Sequence, residues 1–380
     1  MAYLGLMTTT VLVVGGGPAG MACAIAMAQA GVPSEIVEIS EDWRPGGIGI
    51  ALQSAPLRAM KQLGLFGALL AVGRPHRFID MCGADGTRFA EVPQVNVNDP
   101  DDPPFLGMAR ESLHEVMVAE VQRRGIPVHL GVTVRRIGAA DDSGVEVELT
   151  DGRVRRFAYV VAADGVNSAT RASALPHAPE PAYAGQVIWR AAAKCPPGLD
   201  RYTMLIGGPV RVGLVPLPDG GLYLWMLDTT IGPERPPRDQ LLELFQERLG
   251  RFGGAAPAVA EQLTDNAQID FRALQWLIVP PPWHSGRTLL IGDAVHTTTP
   301  HMAYGAGLAL EDAVVLGELA GSGLPFDEMA TAFETRRFER ARLVVENSLQ
   351  LSRWEQEPGP PNPGANRLVG ETMATLAAQI

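Results

Sequence analysis

Four apolar residues, Val11-Leu12-Val13-Val14, run directly into Gly15-Gly16-Gly17-Pro18-Ala19-Gly20 and then into an Ala- and Met-rich stretch that ends near Ala30. A short, unbroken, β-branched run reads as a buried parallel strand, and the stretch after the glycines as a helix. Gly15 would allow the tight turn, Gly17 the close approach of a pyrophosphate, and Gly20 the packing of helix on strand, with the helix N-terminus beside Ala19 facing the anion. A second strand, Glu35-Ile36-Val37-Glu38-Ile39, puts Glu38 roughly 20 residues on, where a carboxylate would accept hydrogen bonds from a ribose. This pattern predicts a dinucleotide-binding βαβ unit; a glycine-rich turn without ligand is the alternative.

The rest of the chain limits what such a unit serves. With 380 residues, 46% of them hydrophobic, there is more than one ordinary core to fill. A formal charge of −11 and no basic run longer than Arg153 to Arg156 argue against nucleic acid or anionic lipid as partners. Three scattered cysteines, Cys23, Cys82 and Cys195, suit neither a disulfide framework nor structural zinc, and imply a reducing, cytoplasmic compartment. The seven histidines never pair at ligand spacing, so no metal is expected. Met1 to Met7 is too short and uncharged for a signal peptide, and no apolar stretch reaches the roughly 18 to 20 residues of a membrane span.

Trp43 to Gly49 reads as a loop, Pro56 to Leu63 as a helix closed by Gly64, and Pro93 to Pro104 as a polar surface connection. Leu113, Val116, Met117 and Val121 mark a helix over Ser112 to Arg124. Strands follow at Val128 to Val134, Val145 to Leu149 and Phe157 to Ala162, with Asp151-Gly152 a hairpin turn and Asp164-Gly165 at a strand end. From Pro176 to Phe271, strands rich in Trp, Tyr and Val alternate with Pro/Gly turns, which implies an antiparallel second layer. Thr288 to Ile291 is again a buried strand, and helices fill Leu308 to about Ser352. The fold class is therefore α/β: a Rossmann-like dinucleotide domain from 7–75, 105–175 and 272–352, an antiparallel-sheet substrate domain from 76–104 and 176–271, and C-terminal helices with a tail over 353–380.

The late segment Leu289-Leu290-Ile291-Gly292-Asp293-Ala294-Val295-His296, followed by Pro300-His301-Met302-Ala303-Tyr304-Gly305-Ala306-Gly307 and Glu311-Asp312-Ala313, resembles the single-component FAD-dependent aromatic hydroxylases. That class includes para-hydroxybenzoate, salicylate and 6-hydroxynicotinate hydroxylases, and the likeness spans roughly Met7 to Ser352. The resemblance implies that Asp293 binds the ribityl hydroxyls, that Gly292 lets backbone approach the flavin, and that Asp164 and Gly165 touch FAD and the path of the reductant. It further implies cofactor contacts from Glu38, from Arg44 and Arg110, and from Gly49 in the loop Gly47-Ile48-Gly49-Ile50 beside the isoalloxazine. The stretch Pro300 to Gly307 would aim a helix N-terminus at the flavin, with Gly305, Ala306 and Gly307 leaving room for the ring. Many members carry Gln where this chain has Tyr304.

The activity so implied is NAD(P)H- and O2-dependent hydroxylation of a small aromatic or heteroaromatic ring through a flavin C4a-hydroperoxide, by a monomer or homodimer. NADH or NADPH would bind transiently, since a second nucleotide motif is absent. A base near the ring would help by deprotonating a phenol. His301 is the first candidate, beside Pro300 at the oxygen-reacting side, and Tyr304 the second. Trp189, Tyr223 and Trp225 are candidates for an apolar lid, and Arg190 for the anchor of a substrate carboxylate; core aromatics and a structural ion pair are the respective alternatives. The helix Arg336-Arg337-Phe338-Glu339-Arg340 reads as a solvated, salt-bridged face. A flavin oxidase or reductase without oxygen insertion, and a non-enzymatic flavin carrier or sensor, are the competing functions; the Trp-x-Trp-x-Ile-Pro signature of flavin halogenases is absent.

Overall fold

The computed structural model describes residues 10–44, 46–359 and 362–380, so the expected opening at Met7 and the leader reading of Met1 to Met7 lie outside the described residues. Val11–Val14 is buried end to end and pairs in parallel with Ser34–Glu38 on one side and Val160–Ala162 on the other. The six strands of this sheet lie in the order His284–Ser285, Thr288–Leu290, Val160–Ala162, Val11–Val14, Ser34–Glu38, Val128–Leu130, and only the first pairs antiparallel. Both faces are covered, as a continuous apolar strand requires. Val11 and Val13 face helices, whereas Leu12 and Val14 face a three-stranded meander of Val134–Asp141, Gly144–Leu149 and Val154–Phe157. The expected single strand Val128 to Val134 is split by Gly131, whose φ of 68° turns the chain.

Helix Pro18–Gln29 starts from Gly17 with proline in its first turn, where a missing N–H costs nothing. It packs on Gly305–Gly321 through small residues: a Cβ on Gly317 would stand 2.5 Å from that of Ala26. The long helix Phe326–Gln356 follows, running past the expected end near Ser352, and Ala365–Leu376 folds back on it. The tail is held by arginines, with Arg340 donating to Leu376 O at 2.7 Å and Arg58 to Ala377 O at 2.9 Å. No helix among the described residues is long and apolar enough to cross a membrane.

The second sheet has seven strands, in the order Ile269–Trp276, Ala182–Lys194, Gly221–Asp228, Val210–Pro216, Tyr202–Gly207, Phe78–Gly83, Arg88–Pro93. It is antiparallel except where Tyr202–Gly207 runs parallel to Phe78–Gly83, and its first strand continues five residues beyond the expected domain boundary at Phe271. Side chains alternate across it. Val187, Trp189, Ala191, Val212, Leu214, Leu224, Met226 and Phe271 pack in a separate core with helices Leu241–Leu249 and Ala256–Ala260, two helices not expected from the sequence. Tyr202, Tyr223 and Trp225 lie on the opposite face.

Candidate active site

The turn after the first strand is glycine by necessity at two positions. A Cβ on Gly20 would sit 1.9 Å from Gly15 O, and Gly15 itself, at φ 104°, leaves no room beside Ala163 O. Around Gly17 the space is open, and a groove of about 160 Å³ is lined by Gly16, Gly17, Glu38, Trp43, Arg44 and Arg110, among others. Glu38 closes one end, accepting from Gly16 N–H at 2.7 Å and Ser40 N–H at 2.8 Å, with lone pairs left for a ribose. Burial and the nearby Arg190 hold the Arg110 guanidinium below its ordinary pKa, with Asp293 pulling the other way. A cation so placed, beside a helix N-terminus, suits a diphosphate.

The third motif meets the first directly. Gly292 has a left-handed backbone at φ 62°, which favours glycine, and a Cβ there would be tight against Ala19 at 3.1 Å, with Ala309 at 3.4 Å. Asp293 is open to solvent yet surrounded by protein. That desolvation raises its carboxyl above the usual range, against the pull of His296 and Arg110. Its carboxylate accepts no hydrogen bond among the described residues, which fits an acceptor waiting for ligand hydroxyls. Beneath it, Asp312 accepts from Gly292 N–H at 2.9 Å, His296 Nε2 at 2.6 Å and Arg337 Nε at 2.7 Å, fixing the turn.

Several expected residues serve otherwise than foreseen. Tyr304 is shielded from the cleft, and its hydroxyl donates to Glu311 Oε1 at 2.7 Å; burial and that carboxylate hold its pKa well above the ordinary value, so it is removed from the candidate bases. Arg337 is wholly buried between Glu311 and Asp312, and Arg340 pairs with Glu311 at 2.7 Å, so the arginine helix turns these residues inward and is not a solvated face. Gly307 makes room for Pro56, 2.5 Å from where its Cβ would be, so the space it frees lies against a neighbouring helix. Asp164 accepts from Ser168 Oγ at 2.5 Å and Thr170 N–H at 3.0 Å, which gives both oxygens protein donors. Trp189 packs on Phe271 at 4.7 Å in the far core and forms no lid. Arg190 is held by Asp270, 2.8 Å from its Nε, which is the structural ion pair.

The face of the seven-stranded sheet opposite the Trp189 core is aromatic and cationic. Tyr223 presses on the Gly46–Gly49 loop so closely that a Cβ on Gly49 would stand 2.2 Å from its ring. Trp225 lies under Arg211, whose guanidinium is 5.6 Å from the ring centroid and whose Nε is buried without a partner among the described residues. Glu355, on the long helix, lies between this sheet and the Pro300 turn: one oxygen is 2.6 Å from Arg211, and the other is 3.2 Å from His301 Nε2, close enough for charge attraction but outside hydrogen-bond geometry. His301 Nδ1 meets Thr299 Oγ1 at 2.9 Å, and burial lowers the imidazole pKa against the opposing pull of Glu355. Pro300 is exposed, and helix Gly305–Gly321 begins after the turn with Gly305 and Ala306 half-buried. Arg211 and Glu355 were missed in the sequence, although a polar residue between Val210 and Val212 on a strand already marks a second face.

A groove for a dinucleotide diphosphate, a ribose acid at its end and an unpartnered carboxylate on a glycine turn thus meet in one place, as a flavin-dependent oxidoreductase requires. The residues present fit FAD. The chain belongs to the FAD-binding domain family, which matches residues 8–348. It is 30% identical over 348 residues to the FAD-dependent urate hydroxylase of Klebsiella oxytoca, covering 88% of this chain and 87% of that one. Identity to the 3-amino-4-hydroxybenzoate 2-monooxygenase of Streptomyces cremeus is also 30%, over 92% of this chain and 89% of the relative. The structure of Klebsiella pneumoniae HpxO complexed with FAD and uric acid superposes with a TM-score of 0.83 at 23% identity, covering 98% and 94% of the two chains, and so has the same fold.

Proposed function

We propose that this flavoenzyme uses NADH or NADPH and O2 to hydroxylate a small, electron-rich aromatic or heteroaromatic ring in the cleft between the Pro300 turn and the Tyr223–Trp225 face. The observation that carries the reading is Glu355, which bridges His301 on the cofactor side and Arg211 on the sheet side. The two walls are thereby held at one site. Bound FAD supplies hydride acceptance and oxygen activation. In this reading Gly15, Gly17, Ala19, Gly20, Glu38, Arg44 and Arg110 hold the adenosine diphosphate half. Asp293, Gly49 and the Pro300–Ala306 turn hold the flavin half, with Asp164 and Gly292 shaping the junction.

Tyr223 and Trp225 would exclude water, and Arg211, whose Nη1 is paired with Glu355 at 2.6 Å, keeps its Nε as the donor left for an anionic ring or a ring carboxylate. His301 is the proposed base, although its ring is as shielded as that of Tyr304. Burial favours the neutral form, Nδ1, now on Thr299 Oγ1, is the nitrogen that would take up the proton, and Glu355 beside Nε2 would stabilise the resulting charge. The names of the relatives, a urate hydroxylase and an aminohydroxybenzoate monooxygenase, support a ring bearing oxygen or nitrogen substituents. The compartment we assign is cytoplasmic.

The test is oxidation of NADH and NADPH by the purified yellow protein against phenols, hydroxybenzoates, hydroxypyridines and purines, with peroxide and product mass followed together. One compound should accelerate oxidation and gain a single oxygen. Stimulated oxidation that yields only peroxide for every compound would make the protein an oxidase. His301→Ala should keep FAD but uncouple oxidation from hydroxylation; native product yield and pH dependence would remove His301 from the chemistry.

A further inference from the structure

Trp43 has a left-handed backbone, with φ 43°, in a region that bulky residues rarely enter. Such a conformation persists only where its surroundings fix it. Two hydrogen bonds do so here. The indole Nε1 donates to Gly16 O at 2.8 Å, and His114 Nε2 donates to the Trp43 carbonyl at 2.7 Å, with the two rings edge to face at 5.7 Å. The indole nitrogen lies only 2.6 Å from where a Cβ on Gly16 would stand, so indole and glycine backbone are in direct contact.

The hydrogen bond reaches both ligand-facing groups of the groove. In a trans peptide the carbonyl and the following N–H point in opposite directions. Pinning Gly16 O to Trp43 therefore turns the Gly17 N–H away from the indole, at the N-terminus of helix Pro18–Gln29. The N–H of Gly16 meanwhile donates to Glu38 Oε2 at 2.7 Å, orienting the ribose acid. The half-buried ring itself lines the groove with Gly17, Arg44, Arg110 and His114.

We infer that Trp43 is a retention residue for the adenosine diphosphate half of FAD: it walls the groove and sets the orientation of the Gly16–Gly17 peptide and of Glu38. This rests on the chain's binding of FAD. The experiment is titration of the apoprotein with FAD, followed by flavin fluorescence, for wild type, Trp43→Phe and Trp43→Ala, with the melting temperature of each apoprotein measured alongside. Trp43→Phe loses one hydrogen bond and should raise the FAD dissociation constant about threefold to tenfold. Trp43→Ala, which also loses the wall, should raise it further, and both apoproteins should melt within a degree or two of wild type. A wild-type dissociation constant in both variants overturns the inference. So does weakened binding accompanied by an equally large fall in apoprotein melting temperature, because Trp43 would then act on the fold alone. Failure of the wild-type protein to bind FAD would count against the cofactor reading instead, separately from the role of Trp43.

Discussion

Arg337 Nε donates to Asp312 Oδ1 at 2.7 Å while both side chains are wholly shielded from solvent, and the same guanidinium reaches Glu311 at 3.0 Å. Burial works against every charge in this group, but the opposite charges outweigh it: both carboxyls sit below their ordinary pKa and Arg337 above its own. Because Asp312 also holds the Gly292 N–H, the ion pair lies directly beneath the proposed flavin carboxylate Asp293. Arg337→Met leaves Asp312 without a full positive charge and should cost about 3–5 kcal/mol in denaturant unfolding. The purified variant should also carry less flavin. Stability within about 1 kcal/mol of wild type would show the network to be replaceable.

Tyr304 donates to Glu311 and receives from Arg340 at 3.2 Å, inside that network. Tyr304→Phe should lose about 1–2 kcal/mol of stability, since Glu311 keeps its two bonds to Arg340. The pH dependence of turnover should stay as it is. Disappearance of one limb of that profile would return the tyrosine to the chemistry.

His76 is buried between Phe105 and Tyr202, with Nε2 donating to Pro216 O at 2.9 Å. Desolvation pushes its pKa down from 6.5 to about 4. The unfolded chain therefore binds the proton first, so this contribution is fully present above pH 6.5 and is lost as pH falls toward 4. Its size is on the order of 3 kcal/mol. Unfolding measured from pH 7 to 4 should show a shallower loss for His76→Gln, and parallel curves would mean that folding does not lower the imidazole pKa.

Ala303 follows the Pro300 turn with φ 49°, exposed, where a left-handed backbone favours glycine. Ala303→Gly should gain up to about 1 kcal/mol, the relieved strain being partly offset by a more flexible unfolded chain. Ala303→Val should lose stability, because a β-branched residue fits that region worse. Melting temperatures ranked with glycine lowest would contradict the strain.

Much of the cofactor side is legible in the amino-acid sequence. Strand, glycine turn and helix are short-range matters, and Gly15 and Gly20 are required by backbone atoms of the same turn or of the strand beside it. Alternation along Ala182–Lys194 and Gly221–Asp228 likewise separates Trp189 from Arg190, and Leu224 from Tyr223 and Trp225. It does not say which face looks onto the cleft. That depends on helices Leu241–Leu249 and Ala256–Ala260, which cover the Trp189 face and leave the other to the site.

The amino-acid sequence by itself determined the βαβ unit, the three motifs and the two-faced strands, because each arises from neighbours a few positions apart. Tertiary structure alone decided that Tyr304 points to Glu311 and that Arg337 is buried against Asp312. It also decided that Glu355 joins His301 to Arg211, and that Trp43 reaches Gly16 across 27 residues. A charged or aromatic residue on a helix or loop looks the same in sequence whether water or a distant carboxylate receives it. Only packing of remote segments, which strips away the water, makes that choice.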